Sequence, residues 1–406
     1  MDYQGAIEVL FTKLPMFQRT GPAAYKVNLD GTKAVCNMLG NPENDLNYIH
    51  IAGTNGKGTV AHMISATLQT AGYKVGLFTS PHLIDFRERI RVNGEMIPQA
   101  DVVGFVDEYE NKWSDPSFFE LTFGMALKHF QALAVDIVIL ETGMGGRLDS
   151  TNVIPSAEVC VVTNIGLDHQ QFLGQTIRDI AAEKAGILKH GVPVVLGKMR
   201  PEAQSVILEK ALKTSSEMNY GRVTPEGLNE DYSPFFKENT ATAYETLKVL
   251  NSQGWDIPES IIIESFNNYR EISGQRGRAE HLHATPTMGS LIIDCAHNLD
   301  GIKGFLEGLS SHEKHLHIVF GTVGDKDPTE ILSLIPINST MYWCAADISR
   351  AMPTKILQEF GENANLRGSS YSSVLEATIA ARTATLNNDQ AQAVICGSVF
   401  VVGEVI

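Results

Sequence analysis

The sequence predicts an α/β fold in two domains, each built on a parallel sheet covered by helices. Three observations carry this. Short β-branched runs alternate with helical stretches from residue 46 to about residue 200, the pattern of strands buried on both faces. A second alternation of the same kind starts near residue 290. The chain, at 406 residues, is also longer than one ordinary hydrophobic core organises.

The elements follow in order. Residues up to about 45 read as two helices around the polar segment FQRTGPAAYK (17–26). LNYIHIAG (46–53) is expected as a strand, GTVAHMISATLQTAG (58–72) as a helix closed by glycine, and KVGLFTS (74–80) as the next strand. TFGMALKHFQALA (122–134) reads as a helix leading into the buried strand VDIVILE (135–141). EVCVVTN (158–164) and VPVVLG (192–197) are further strands, separated by the helical TIRDIAAEKAGILKH (176–190). The pattern weakens after residue 200, and ISGQRGRAEHLHATPTMG (272–289) has the composition of a linker. SLIIDC (290–295), HLHIVF (315–320), MYWCAA (341–346) and AVICGS (393–398) then supply the strands of a smaller α/β domain. The expected division is 1–273, a linker or hinge at 274–289, and 290–406.

Composition excludes several classes of function. Hydrophobic residues make up 43% and mean hydropathy is near zero, as in a globular protein. No apolar run approaches the roughly 20 residues that a membrane span requires. The opening MDYQGAIEVLFTKLP has no basic region before a hydrophobic stretch, so it is not expected to be a signal peptide. Five cysteines (36, 160, 295, 344, 396) are scattered, with no Cys-x-x-Cys pair. Neither a disulfide framework nor a zinc site is expected, and a reducing cytoplasm fits. The net charge of −15 with no basic run argues against a nucleic-acid surface. Neither nucleic acid nor membrane is expected as a partner, and the chain is read as a monomer.

Chemistry enters at YIHIAGTNGKGTV (48–60). The usual phosphate-loop pattern wants glycine six positions before the lysine and Ser or Thr directly after it. Here Ile51 stands at the first position and Gly58 follows Lys57. The physical context is nonetheless that of a phosphate cradle. A strand delivers Gly53, Thr54, Asn55, Gly56, Lys57, Gly58 and Thr59 directly to a helix start, whose N–H groups and dipole favour an anion. Lys57 can neutralise β/γ-phosphate charge, and the Thr59 hydroxyl can ligate Mg²⁺. The bland alternative is an ordinary strand-to-helix turn.

Other strand ends add weight. Glu141 closes a buried strand where open α/β sheets bind ligands, and it reads either as a metal ligand or as a cap on a neighbouring helix. Asp168 and His169 in TNIGLDHQQFLG and Ser80 in FTSPHL follow strand ends on the same edge of the expected sheet. Singly, each is more often structural. Lys184, between Glu183 and Ala185, reads from the residues alone as a surface lysine.

Taken in order, HIAGTNGKGTV, FTSPHL, RERIRVNGE, FFELTF, ILETGMGGRLDSTN, TNIGLDH, AAEKAGILK, DCAHNLDGI, GDKD and CGSVFVVGEV closely resemble the folylpolyglutamate synthase family. Its members are often bifunctional with dihydrofolate synthase, and it lies within the muramyl-peptide ligase superfamily. The match covers nearly the whole chain, and the family's loop carries glycine between the lysine and the hydroxyl residue. The resemblance implies a P-loop parallel-sheet ATPase domain followed by a smaller Rossmann-like α/β domain. It implies an ATP-dependent amide ligase, in which a folate or pteroate carboxylate attacks the γ-phosphate of ATP. L-Glutamate then attacks the resulting acyl phosphate, and dihydropteroate is a further expected substrate.

The same resemblance assigns residues. Thr54, Asn55, Gly56, Lys57, Gly58, Thr59, Asn239, Arg278 and Asp294 match ATP-binding positions. Thr59, Ser80 and Glu141 match a first Mg²⁺ and His169 a second, and Lys184 matches a lysine that the family carbamylates with CO₂. Lys57, His169 and Lys184 are the catalytic positions. Ser117, Phe118, Phe119 and Glu120, with Leu148, Asp149 and Ser150, match folate contacts, and Asp294, His297 and Ser398 the glutamate pocket. Relatives often carry Pro-Gly-Arg before the second domain, where this chain has QRGRAE; Arg276 replaces the proline.

Two other readings differ in testable ways. A nucleotide switch that prefers GTP is only faintly suggested by GDKDP (324–328), an imperfect Asn-Lys-x-Asp echo far from the loop. A muramyl-peptide ligase usually carries Gly-Thr-Asn-Gly-Lys-Thr and a separate N-terminal domain, whereas only about 45 residues precede the first strand here.

Overall fold

Tyr48–Ala52 forms β1, with a parallel neighbour on each side, and all five residues are buried, as in a strand covered on both faces of its sheet. In the computed structural model, which describes residues 1–16, 28–228, 234–309 and 314–406, β1 is central to the first of two compact units. That unit comprises Met1–Glu230 with Phe236–Gln275; the second comprises Asp231–Phe235 with Arg276–Ile406.

The first unit continues with β2 (Val75–Phe78), β3 (Ile90–Val92), β4 (Glu95–Met96), β5 (Ile137–Glu141), β6 (Val159–Val162), β7 (Val194–Leu196) and β8 (Met218–Tyr220). Their order across the sheet is β4-β3-β2-β5-β1-β6-β7-β8. From β2 to β8 the pairing is parallel, and Phe78 pairs with Leu140, Ile51 with Glu141 and Ala52 with Val162. The C-terminal ends of four neighbouring strands are therefore level, and the loops that leave them open on one edge.

The expected parallel sheet carries an antiparallel edge that the sequence reading did not include. β3 runs antiparallel to both β2 and β4. Asn93 and Gly94 join β3 to β4 with φ of 48° and 78°, the left-handed pair that a tight hairpin requires.

The helix Lys57–Thr70 has every residue from Thr59 to Leu68 buried. The helix Glu259–Ser273 packs on it, with His62 Nδ1 2.8 Å from Ser273 Oγ and Gln69 Nε2 donating to the Ile272 carbonyl at 2.8 Å. Helices Tyr3–Lys13 and Asp30–Leu39 flank the segment 17–26, which lies outside the described residues. Beyond residue 200 the apolar alternation fades because polar outer faces dilute it, yet the helices Pro201–Thr214 and Pro234–Ser252 are present.

The second unit holds β9 (Glu280–Leu282), β10 (Leu291–Ile293), β11 (His315–Phe320), β12 (Thr340–Trp343), β13 (Arg367–Ser370) and β14 (Ala391–Cys396), in the order β13-β12-β11-β14-β10-β9. Only β9 is antiparallel, and it lies inside the stretch 274–289 read as linker. Trp343 and Phe320 are buried at its core. None of the five cysteines is in a disulfide, and all are buried. Among the described residues no helix is long and apolar enough to cross a membrane.

Candidate active site

The loop after β1 is held in shape by the loop after β6. Thr54 N–H donates to the Asn164 carbonyl at 2.9 Å, and Asn55 N–H to Asn164 Oδ1 at 2.8 Å. Thr163 Oγ1 donates to the Asn55 carbonyl at 2.6 Å, and Thr54 Oγ1 to the Gly166 carbonyl at 3.1 Å. Gly56 then starts the helix at φ 82°, with Asn239 Oδ1 only 2.0 Å from where a Cβ on Gly56 would sit. Only glycine meets both conditions. Asn239 thus lies against the loop, and Lys57, Gly58 and Thr59 form the first turn of the helix. Lys57 Nζ donates to the Gly53 carbonyl at 3.0 Å and the Thr54 carbonyl at 3.3 Å.

Glu141 faces this first turn from the end of β5. It is 4% exposed, its Oε2 accepts Ser80 N–H at 3.0 Å, and its carboxylate oxygens lie 3.6 and 3.8 Å from the point a Gly58 Cβ would occupy. Helix start, Ser80 and Glu141 are therefore together. Gln275, which the sequence reading passed over, reaches the same point with Nε2 at 3.7 Å. His169 follows β6 at φ 52°, its N–H bonded to Asp168 Oδ1 at 2.9 Å and its ring 3.9 Å from Asp168 Oδ2. Among the described residues no three His, Cys, Asp or Glu side chains gather as a metal cage.

Lys184 is not a surface lysine. It is 4% exposed, and its Nζ donates to the Gly53 carbonyl at 2.8 Å, the oxygen that Lys57 also approaches. Burial first, and then the Lys57 charge, push its amine down to about 7. The sequence did hold a signal. Ile177, Ile180, Ala181, Lys184 and Ala185 are the buried positions of the helix Ile177–Ala185, so Lys184 falls on its apolar stripe.

The positions matched to folate contacts divide into two kinds. Ser117 and Glu120 form a capping box on the helix Phe118–Ala132, with Glu120 N–H to Ser117 Oγ at 3.2 Å and Ser117 N–H to Glu120 Oε2 at 2.6 Å. The Phe118 ring packs beneath the buried Arg89 guanidinium at 5.2 Å. Asp149 is buried and accepts Met144 N–H at 2.8 Å and the Thr151 N–H and hydroxyl at 3.0 and 2.6 Å. Burial raises its pKa, and those bonds oppose the rise. These four side chains shape local structure. Phe119, Leu148 and Ser150 are only half-buried, and Phe119 lies 2.7 Å from the Cβ position of Gly143.

In the second unit, Asp294 follows β10 and accepts Ala296 N–H at 2.7 Å and Ala279 N–H at 2.8 Å. His297 Nδ1 donates to the Cys295 carbonyl at 2.9 Å, which fixes the ring's tautomer. Gly397 N–H donates to the Ala296 carbonyl at 2.8 Å, so Ser398, capping the helix Val399–Gly403, neighbours the 294–298 loop. Lys326, after β11, reaches the His297 carbonyl at 3.5 Å and was not singled out from sequence. Arg278 is half-buried beside β9.

Comparison with known proteins gives a consistent result. The Mur ligase middle domain matches residues 51–227, and the Mur ligase, glutamate ligase domain matches 277–399. The folylpolyglutamate synthase of Lacticaseibacillus casei is 35% identical over 324 residues, covering 71% of this chain and 74% of that protein. A probable bifunctional folylpolyglutamate synthase/dihydropteroate synthase of Haloferax volcanii is 30% identical over 432 residues; this chain is matched fully but spans half that relative's length. Among solved structures, E. coli FolC in complex with DHPP and ADP superposes with a TM-score of 0.82 at 27% identity, covering 100% of this chain and 97% of that one. The bifunctional folylpolyglutamate synthase/dihydrofolate synthase of Yersinia pestis, complexed with AMPPNP and Mn ion, gives 0.82 at 25% identity, with the same coverage.

Proposed function

The chain belongs to the folylpolyglutamate synthase/dihydrofolate synthase family of the Mur ligases, and from that premise we propose that it is an ATP-dependent ligase joining L-glutamate to folates and to dihydropteroate. The observation that carries this reading is the placement of Lys57 and Glu141. A cationic loop at a helix start faces a buried carboxylate across the edge where β1, β2, β5 and β6 end.

The residues divide the work by chemistry. Backbone N–H groups at Gly56–Thr59 and the Lys57 ammonium cradle the β- and γ-phosphates of ATP, and Thr54, Asn55 and Asn239 complete that wall. Arg278 and Asp294 are the remaining positions that the resemblance assigns to ATP. A divalent ion fits the donor set here. Glu141 with the Thr59 and Ser80 hydroxyls would hold it, a hard-oxygen set that leaves positions for water and phosphate. When bound, the ion supplies positive charge that neutralises the phosphates. His169 would hold a second ion, and Lys184, once carbamylated, would add an anion beside Gly53. Phe119, Leu148 and Ser150 orient the pterin-bearing substrate, while Ser117, Phe118, Glu120 and Asp149 keep the walls around it in place.

The substrate carboxylate oxygen attacks the γ-phosphorus, the bond to the β-bridging oxygen breaks, and ADP leaves. The glutamate amine then adds to the acyl carbon and loses its proton, and phosphate departs as the amide forms. Asp294, His297 and Ser398 hold the glutamate. ADP release measured with tetrahydrofolate and with dihydropteroate, each with and without L-glutamate, tests the whole reading. Turnover should require both an acceptor and glutamate; ADP release independent of the acceptor, or a preference for GTP, overturns it.

Two substitutions probe the parts. Glu141→Gln keeps the size but removes the charge, so the Mg²⁺ concentration for half-maximal rate should rise about tenfold or more. A Mg²⁺ titration overlaying the parent's would take Glu141 out of the metal site. His297→Ala should raise the apparent KM for glutamate and lower turnover, with ATP affinity by calorimetry little changed. Lost ATP binding with normal glutamate saturation would move His297 to the nucleotide.

A further inference from the structure

Gln275 is the last residue of the first unit, and it is 6% exposed. Its Oε1 is fully buried and has no hydrogen-bond partner among the described residues. A buried acceptor left without a donor is unfavourable, so a native protein that keeps one usually has a ligand or water for it. The surroundings indicate which. The carboxamide Nε2 and both Glu141 carboxylate oxygens converge on one point beside Gly58, at 3.7, 3.6 and 3.8 Å.

The mounting of Gln275 is stiff. Ser273 Oγ meets His62 Nδ1 at 2.8 Å and donates to the Tyr269 carbonyl at 2.6 Å. Gly274 turns left-handed at φ 75°, its N–H donating to the Arg270 carbonyl at 2.8 Å. Arg91 donates to the Gly274 carbonyl at 3.5 Å and to the Gly94 carbonyl at 2.8 Å. Since His62 lies in the helix that Lys57 begins, Gln275 is anchored to the element that forms the phosphate loop.

We propose that Gln275 is a positioning residue of the metal–phosphate site, its carboxamide, which presents Nε2 toward Glu141, turning over when the divalent ion binds so that Oε1 accepts a proton from a water on that ion. Water on such an ion is polarised and points its protons outward, so it needs acceptors around it. The Glu141 carboxylate supplies charge, and the neutral Gln275 carbonyl supplies an acceptor without a second charge. This inference rests on the metal reading of Glu141 given above.

The test is Mn²⁺ binding followed by electron paramagnetic resonance on the intact chain with AMPPNP, alongside thermal unfolding without ligands. Gln275→Leu should weaken Mn²⁺ about 10- to 100-fold, with Tm unchanged or raised, because it removes an unpartnered buried oxygen. Gln275→Glu should bind Mn²⁺ more tightly than the parent. Parent-like Mn²⁺ binding in Gln275→Leu overturns the proposal whatever its Tm. If that variant does not fold, Gln275→Glu decides, and affinity equal to or below the parent's overturns it. Glu141→Gln is the control for the underlying reading: parent-like Mn²⁺ binding there removes the metal site itself, whereas loss there with no effect at Gln275 removes only this inference.

Discussion

Lys57→Ala is expected to lower the rate of ADP formation by about a thousandfold or more, a loss of about 4 kcal/mol in transition-state stabilisation. The helix start offers N–H groups and a partial charge, but Lys57 is the full cation within the loop itself. Phosphoryl transfer depends mainly on placement and on such charge. The fold should survive, because the helix is secured by its buried face from Thr59 to Leu68 and by the left-handed Gly56 before it. Circular dichroism and thermal unfolding beside steady-state ADP assays make the comparison. A secondary effect follows from the shared Gly53 carbonyl. With the Lys57 charge gone, the Lys184 amine should titrate at a higher pH than its value of about 7. Parent-like turnover in Lys57→Ala would remove the loop from the mechanism.

The second large effect is at Lys184. Lys184→Ala should lose most activity, and an added short-chain carboxylate should return part of it by replacing the anion that CO₂ would form on the amine. That addition requires a neutral amine: nitrogen bonds to the CO₂ carbon and a proton is released. Burial and the neighbouring Lys57 bring the amine to about 7, so much of it is neutral where an ordinary lysine is almost wholly charged. The sign for stability follows from proton counting. Below about 7 both folded and unfolded chains carry the proton, and the full penalty of a buried ammonium opposes folding. Between that value and the ordinary lysine value of 10.5, the folded chain has released a proton that the unfolded chain keeps, so stability rises with pH and then levels. Lys184→Met should abolish this part of the rise, which denaturant unfolding at about pH 7 and about pH 9 would measure. An active enzyme with an unmodified Lys184, seen in intact mass or high-resolution density, would sink the carbamate assignment.

What was legible in the sequence depended on whether a residue's role is local. The loop after β1 and Glu141 announce themselves through glycines, a strand end and a helix start, and the structure places them together. The β3–β4 hairpin carried its signal in Asn93 and Gly94, but the strands around it are too short for an alternating pattern to register. Lys184 was misread from its residue type, although its place on the apolar stripe of its helix pointed inward. The role of Glu120 as a cap was visible as Ser117 followed three residues later by a carboxylate. Gln275 gave no signal at all. Its position depends on His62 and Arg91, 213 and 184 residues earlier in the chain (275 − 62 and 275 − 91), and no local pattern records such a contact.

The four strands at the margins of the two sheets are β4, β8, β9 and β13, of two, three, three and four residues. β13 is Arg-Gly-Ser-Ser, exposed throughout, and β9 carries Glu280 and His281. Parallel pairing joins segments distant in sequence and is slow to complete, which leaves partly assembled sheets open to other chains. A neighbouring molecule seeking to extend either sheet would find a ladder of a few hydrogen bonds and, at β13, an arginine instead of an apolar strip. The catalytic edge can therefore be built from long-range parallel strands while the growing sheets resist joining those of another molecule during synthesis.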